Sequence, residues 1–357
     1  CFLTLFISSL FEYLTLISQS LYFVQYMINF KRPFVLFFLF SIGAFFFALI
    51  GCSENSISSA QKHGAVPELK TIVVTTTQIF DLVKQIAGDH CKVLSLMGPG
   101  VDPHLYKPTA RDMLALNSAD LILFHGLKLE GKISTVLKYA KDSMVPIHEV
   151  CSKLPSNLLL ASNEEGQMYP DPHVWFSPPL WIMCMQRITN ILGDLIPEKK
   201  ELFQKRSRKL EQEYSMINQW AKVQFSRVIP ARKKIITSHD AFRYLGRSFD
   251  LDVIALQGIS TATEAGLGDR ANLVDYIRLH KVPVLFVESS VNPRALEEVA
   301  KETGAVLGKP LFSDALGAND QEVSGPDGFS YALSTWTGMM IYNVNAIVEG
   351  LTKREDE

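Results

Sequence analysis

The chain writes the pattern Asp-Pro-His-aliphatic-aromatic twice, at Asp102-Pro103-His104-Leu105-Tyr106 within GPGVDPHLYKP and at Asp171-Pro172-His173-Val174-Trp175 within PDPHVWFSP. Imidazole is the commonest side-chain ligand for transition-metal ions. A proline before each histidine restricts the backbone that carries the ring. The aspartates, Asp102 and Asp171, offer carboxylates that can hold the ring's other nitrogen and fix its tautomer. Two more residues of ligand type follow apolar runs elsewhere: His239 ends KIITSH, and Asp314 stands in PLFSDALG. Three imidazoles and one carboxylate suit Zn(II), and also Mn(II) or Fe(II) where the carboxylate binds through both oxygens.

Such a set works only if the fold brings it together. From residue 70, TIVVTTT, CKVLSLM, DLILFHG and VPIHEV read as strands. They alternate with the helical patterns of IFDLVKQIAG, residues 110–119 and LEGKISTVLKYAKD, the signature of a parallel sheet covered on both faces. After residue 230 a second set appears: KIITSHD, DVIALQG, VPVLFVES and AVLGKPLF as strands, with AFRYLGRSF, NLVDYIRLHK and NPRALEEVAKETG as helices. In the last of these, Asn292 is the expected N-cap and Pro293 the first helical residue. Between the sets, residues 198–228 contain no Gly or Pro, and Phe203, Leu210, Tyr214, Ile217 and Ala221 recur at helical spacing. The expected fold is therefore α/β, with two similar lobes, each a four-stranded mainly parallel sheet flanked by helices. One long rigid backbone helix joins them. The expected divisions are 70–196 for the first lobe, 197–229 for the connecting helix and 230–353 for the second lobe.

In open α/β sheets, ligands bind beyond the carboxyl ends of the strands. His104 follows the second strand and His173 lies in the loop feeding the next helix. His239 and Asp314 stand at the matching edge of the second lobe, so two ligands from each lobe should face one cleft. Glu288 ends VPVLFVE at the same edge, where it should bond backbone or support a ligand. His125 ends DLILFH at the first lobe's edge and is a candidate for the cleft wall. Trp175 and Phe176 should pack the lobe interface. His63, His90, His148 and His280 read as solvated or packing residues.

A net charge of −2 shows no basic excess, which argues against a nucleic-acid partner. Residues 1–26 carry a single charge, Glu12, and read as non-native upstream translation, with Met27 as the start. Lys31-Arg32, an uncharged run from Pro33 to Ile50, and Leu49-Ile50-Gly51-Cys52 then form a secretory signal over 27–52,. Its ending looks like a lipobox that would leave Cys52 lipidated, with 53–69 as a polar tether. The body would then sit outside the cytoplasm, in the periplasm or on the cell surface, held to a bacterial membrane. Cys91, Cys151 and Cys184 show no CxxC spacing, and the sequence leaves open which pair, if any, would join.

The motifs GPGVDPHLYKPTARD, GLKLEGK, DPHVWFSP, TSHDAFRYLG, LQGISTATEAG, FVESSVNPRAL and PLFSDALG, in that order, resemble the TroA-like family. These are the substrate-binding lipoproteins of bacterial zinc, manganese and iron ABC transporters. The resemblance covers residues 70–353 and implies two lobes, a rigid connecting helix and a metal held between the lobes. Its ligand positions carry over to His104, His173, His239 and Asp314. It further implies a monomer that catalyses no reaction and hands its ion to a permease and ATPase. His239, where manganese-selective members tend to have Glu, argues for zinc or for a less selective site; the absence of a His-rich loop in SNEEGQMYP removes one support for zinc. A zinc hydrolase and an adhesin-type surface lipoprotein are the alternatives. Against the hydrolase, Asp314 would fill the position that a reactive water needs, and no HExxH motif is present.

Overall fold

The computed structural model describes residues 69–133, 137, 145–164 and 167–352. The secretory signal, Cys52, the tether, His63 and most of the helix expected over 129–142 lie outside the described residues. Among the described residues, no helix is long and apolar enough to cross a membrane.

The first sheet is built from β1 (Lys70–Val74), β2 (Cys91–Ser95), β3 (Leu121–Phe124) and β4 (Ile147–Glu149), all parallel in the order β2-β1-β3-β4. Ile72, Val73 and Val74 on central β1 are wholly buried. A continuous apolar run is what a strand covered on both faces requires. Helix α1 (Thr77–Ala87) starts where the Thr76 hydroxyl accepts the Ile79 N–H, and it buries Ile79, Leu82, Val83 and Ile86. Helix α2 (Ala110–Asn117) begins with a capping box between Thr109 and Asp112. After β4 the chain forms an antiparallel hairpin, β5 (Ala161–Glu164) and β6 (Gln167–Pro170), which no apolar run in the sequence announces.

Helix α3 (Pro178–Leu195) leads into α4 (Lys200–Ser226), the long connecting helix. Its buried residues Phe203, Ser207, Leu210, Tyr214, Ile217, Ala221 and Phe225 fall three or four apart, a narrow stripe on a charged rod,. At 1.5 Å per residue the rod is about 40 Å long.

In the second half, β7 (Lys234–His239) pairs in parallel with β8 (Asp252–Gln257), flanked by α5 (Arg243–Phe249) and α6 (Leu267–His280). The short strands β9 (Val284–Leu285) and β10 (Val306–Leu307) also pair in parallel, with α7 (Arg294–Thr303) between them. Single bridges, Thr237 to Phe286 and Glu288 to Leu311, carry the sheet onward. Contrary to expectation, the N-cap of α7 is Pro293 and not Asn292, and the helix begins at Arg294; the Asn292 side chain still accepts the Arg294 N–H at 3.1 Å, one position ahead of the cap. A hairpin, β11 (Glu322–Ser324) and β12 (Ser330–Ala332), and the C-terminal helix α8 (Trp336–Thr352) complete the chain.

One apolar cluster runs through both halves, including Ile72, Trp175, Trp181, Phe203, Tyr214, Phe242 and Trp336. Residues 67–357 form one compact unit. The α/β architecture expected from sequence, with a parallel sheet flanked by helices and a long helix in the middle of the chain, is the architecture observed.

Candidate metal centre

The repeated Asp-Pro-His unit is a backbone device. Asp102 Oδ1 accepts the His104 N–H at 2.8 Å, and Asp171 Oδ1 accepts the His173 N–H at 2.9 Å. The intervening proline has no N–H to compete, so each aspartate closes a tight turn on its histidine's backbone. Beyond that the two turns differ. Asp171 Oδ1 also lies 2.8 Å from His173 Nδ1, which directs Nε2 away from it. Asp102 does not hold the His104 ring, contrary to the tautomer role expected of it; its Oδ2 accepts the Thr261 hydroxyl from the other half at 2.5 Å.

The second half supplies its ligands from strand ends. His239 closes β7, where Glu288 accepts its backbone N–H at 2.8 Å and lies 2.5 Å from Nδ1. Asp314 follows the Leu311 bridge and turns both oxygens inward. Oδ2 lies 3.1 Å from His239 Nε2 and 3.6 Å from His104 Nε2, and Oδ1 lies 3.3 Å from His173 Nε2. The ring centroids stand 5.3, 5.6 and 6.0 Å apart. One donor atom from each of the four residues lies within 4.8 Å of all the others.

All four residues are buried, and the three Nε2 atoms and both Asp314 oxygens make no hydrogen bond. Unsatisfied polar atoms in a protein interior are costly, and five converging on one point demand a common partner. Bonds of about 2.1 Å to a tetrahedral ion place its ligand atoms roughly 3.4 Å apart. The distances from Asp314 to the three rings bracket that value. Because both of its oxygens face the rings, the set also admits an ion of higher coordination number.

The protons follow the same geometry. Burial lowers the pKa of His104 to about 3, only partly offset by Asp314. For His173, burial pulls downward but the carboxylates of Asp171 and Asp314 win and raise it to about 9. His239 is raised well above its ordinary value, against burial, by Glu288 and Asp314. Burial would raise Asp314, yet His239 and His173 hold it well below the usual carboxylate range. A divalent ion would take the place of the two imidazolium protons as the counter-charge to these carboxylates.

Several supports were not assigned roles by sequence. Glu130, within GLKLEGK, is buried and accepts from the His125 N–H at 2.5 Å, the Thr75 hydroxyl at 2.7 Å and the Gly126 N–H at 3.0 Å. It fastens a turn in which Gly126, Leu127 and Lys128 have φ of 89°, 51° and 67°. That turn delivers Gly131 against the His104 loop, where a Cβ would lie 2.6 Å from the His104 carbonyl oxygen. The glycines of the motif are its legible signal.

His125 stands behind the site and does not enter it. Its Nε2 donates to the Pro172 carbonyl at 2.7 Å, and its ring lies against Trp175 and Trp181. Trp175 bridges the halves through its Nε1–H to the Ser313 carbonyl, and Phe176 packs on Phe242. His148 is half-buried beside Arg187, and exposed His280 packs on Tyr276; neither belongs to the cluster of four. A cavity of about 1010 Å³ lies between β6 and the β8–α6 face; it reaches Asp240, next to His239, but none of the four residues lines it.

The family model described as zinc-uptake complex component A, periplasmic, matches residues 72–350. The manganese-binding lipoprotein MntA of Bacillus subtilis is 36% identical over 310 residues, covering 85% of this chain and 95% of MntA. The metal ABC transporter substrate-binding lipoprotein SsaB of Streptococcus sanguinis is 31% identical, covering 85% and 95%. The solved structure of the periplasmic zinc binding protein TroA from Treponema pallidum matches with a TM-score of 0.74 at 33% identity, over 80% of this chain and 100% of that one.

Proposed function

Because the chain belongs to the zinc-uptake complex component A family of periplasmic proteins, we propose that it is the substrate-binding component of a metal ABC transporter. It captures one divalent transition-metal ion with His104, His173, His239 and Asp314 and passes it to a membrane permease driven by an ATPase. It acts outside the cytoplasm as a monomer, tied to the membrane through lipid on Cys52, and catalyses no reaction. The observation that carries this reading is the convergence of five buried, unbonded donor atoms from both halves of the chain.

The donor chemistry supports zinc as the first candidate, with manganese or iron next. Three neutral imidazoles favour zinc, whereas the two inward oxygens of Asp314 accommodate either of the others. Similarity does not rank them: the relatives carry manganese in one name and zinc in another at comparable identity. Three imidazoles and one carboxylate leave a divalent ion with one positive charge. Asp171 and Glu288, each against a ligand's Nδ1, bring two negative charges to it, and the Arg243 guanidinium 3.8 Å from Asp171 returns one positive charge,.

Elemental analysis of the purified chain, then calorimetric titration of the stripped form with Zn(II), Mn(II) and Fe(II), tests the proposal. One ion per chain is expected, with binding lost in His173→Ala and His239→Ala and retained in His148→Ala. The absence of a stoichiometric ion under all three titrations would return the four residues to a structural role.

A further inference from the structure

We infer that Cys151 and Cys184 form a disulfide when the chain folds in an oxidising compartment, closing a loop that carries His173. Cys91, Cys151 and Cys184 stand as thiols in the structure, all three buried. Two of them face each other: Cys151 Sγ in the 3-10 turn Val150–Lys153 lies 3.7 Å from Cys184 Sγ in α3. A disulfide bond is about 2.05 Å, so the two sulfurs stand roughly 1.7 Å beyond bonding distance.

The pair sits directly behind the metal centre. His125 Nε2 is 3.4 Å from Cys151 Sγ and also donates to the carbonyl of Pro172, the residue before His173. The residues between the two cysteines hold the β5–β6 hairpin, Asp171, His173 and Trp175. Cross-linking residues 33 apart removes much of that loop's freedom in the unfolded chain.

In the bond-forming step each thiol gives up its proton, the S–S bond forms, and two electrons pass to a disulfide-bearing oxidant that leaves as two thiols. Burial, then the neighbouring Cys184, raise the Cys151 thiol well above its ordinary pKa. The folded core therefore offers little thiolate, and closure belongs to the folding stage. The inference rests on the extracytoplasmic reading above for the source of its oxidant; the pairing itself requires no metal.

The full chain, refolded in a buffer of oxidised and reduced glutathione, is alkylated without reductant and digested with trypsin. Peptides 142–153 and 154–187 are expected joined, two hydrogens lighter than the separate thiols, with Cys91 alkylated. Cys151→Ser, Cys184→Ser and the double variant are expected to lower the melting temperature by the same amount, roughly 5–10 °C. Alkylation of both peptides, a link from either cysteine to Cys91, or additive losses in the double variant would overturn the pairing. Metal content measured on the same samples separates the two proposals. Binding without the link removes only the disulfide, and the link without binding removes only the cargo.

Discussion

At the scale of single residues, the site is set by carboxylates that do not point at its centre. Glu288 holds His239 at both its backbone N–H and its Nδ1, whereas Asp102 holds only the His104 backbone. The two acids should therefore fail differently. Glu288→Gln keeps an oxygen for the backbone but loses the charge beside Nδ1, and metal affinity is expected to fall about 10–100-fold. Asp102→Asn also keeps an oxygen for the backbone and should cost less than about 10-fold. Competition titrations against a chelator read both, and equal losses would sink the distinction. The four candidate ligands were singled out by two different signals: His239 and Asp314 by their place after apolar runs, and His104 and His173 by the repeated Asp-Pro-His unit. Asp102's actual task was not legible, since a carboxylate two residues before a histidine looks the same whether it binds the ring or the backbone.

At the scale of elements, legibility followed periodicity. Strands β1 to β4 come from short apolar or β-branched runs, helices α1 and α4 from 3.6-fold patterns, and all form as expected. The hairpin β11–β12 is short and mostly exposed, and only the Asp327-Gly328 turn announces it. Helix α8 buries Trp336, Met339, Met340, Ile341, Val344 and Ile347 with no polar face to mark a period,.

Helix α8 begins at an acid that sequence also left unremarked. Asp81 Oδ2 accepts the Trp336 N–H at 2.8 Å, its Oδ1 accepts from Gln85, and on the facing side the Thr337 hydroxyl donates to Glu213 of α4. Burial raises the pKa of Asp81 to about 7, further helped by Glu213 and opposed by its hydrogen bonds from Trp336 and Gln85. Between the ordinary value near 3.8 and about 7, the folded chain keeps a proton that the unfolded chain has lost. The resulting stability is complete below that window and disappears as pH rises through it. Asp81→Asn cannot titrate, so its melting temperature should gain on the native chain's from pH 4 to pH 8. A gap independent of pH would show that Asp81 is charged in the fold.

At the scale of the whole molecule, the two halves are stapled around the four candidate ligands. Thr261 reaches Asp102, Trp175 reaches Ser313, the Leu316 N–H reaches the Thr77 hydroxyl, and Trp336 reaches both Asp81 and the Trp175 carbonyl. The connecting helix and the shared apolar cluster lie behind these bonds, so release of an ion cannot rely on a freely swinging hinge. It must open a few cross-links near the ligands while the core stays closed. Thr261 to Asp102 is the bond best placed for that, because Asp102 in turn carries His104. In Thr261→Val the methyl-for-hydroxyl exchange keeps the volume and removes the donor. Metal dissociation, followed by stopped flow with a chelator, is expected to accelerate about tenfold, or roughly 1.4 kcal/mol. The melting temperature of the metal-free variant should change by only a few degrees. An unchanged release rate would move the gate elsewhere, and a collapse in metal-free stability would mean that the bond holds the fold and not the exit.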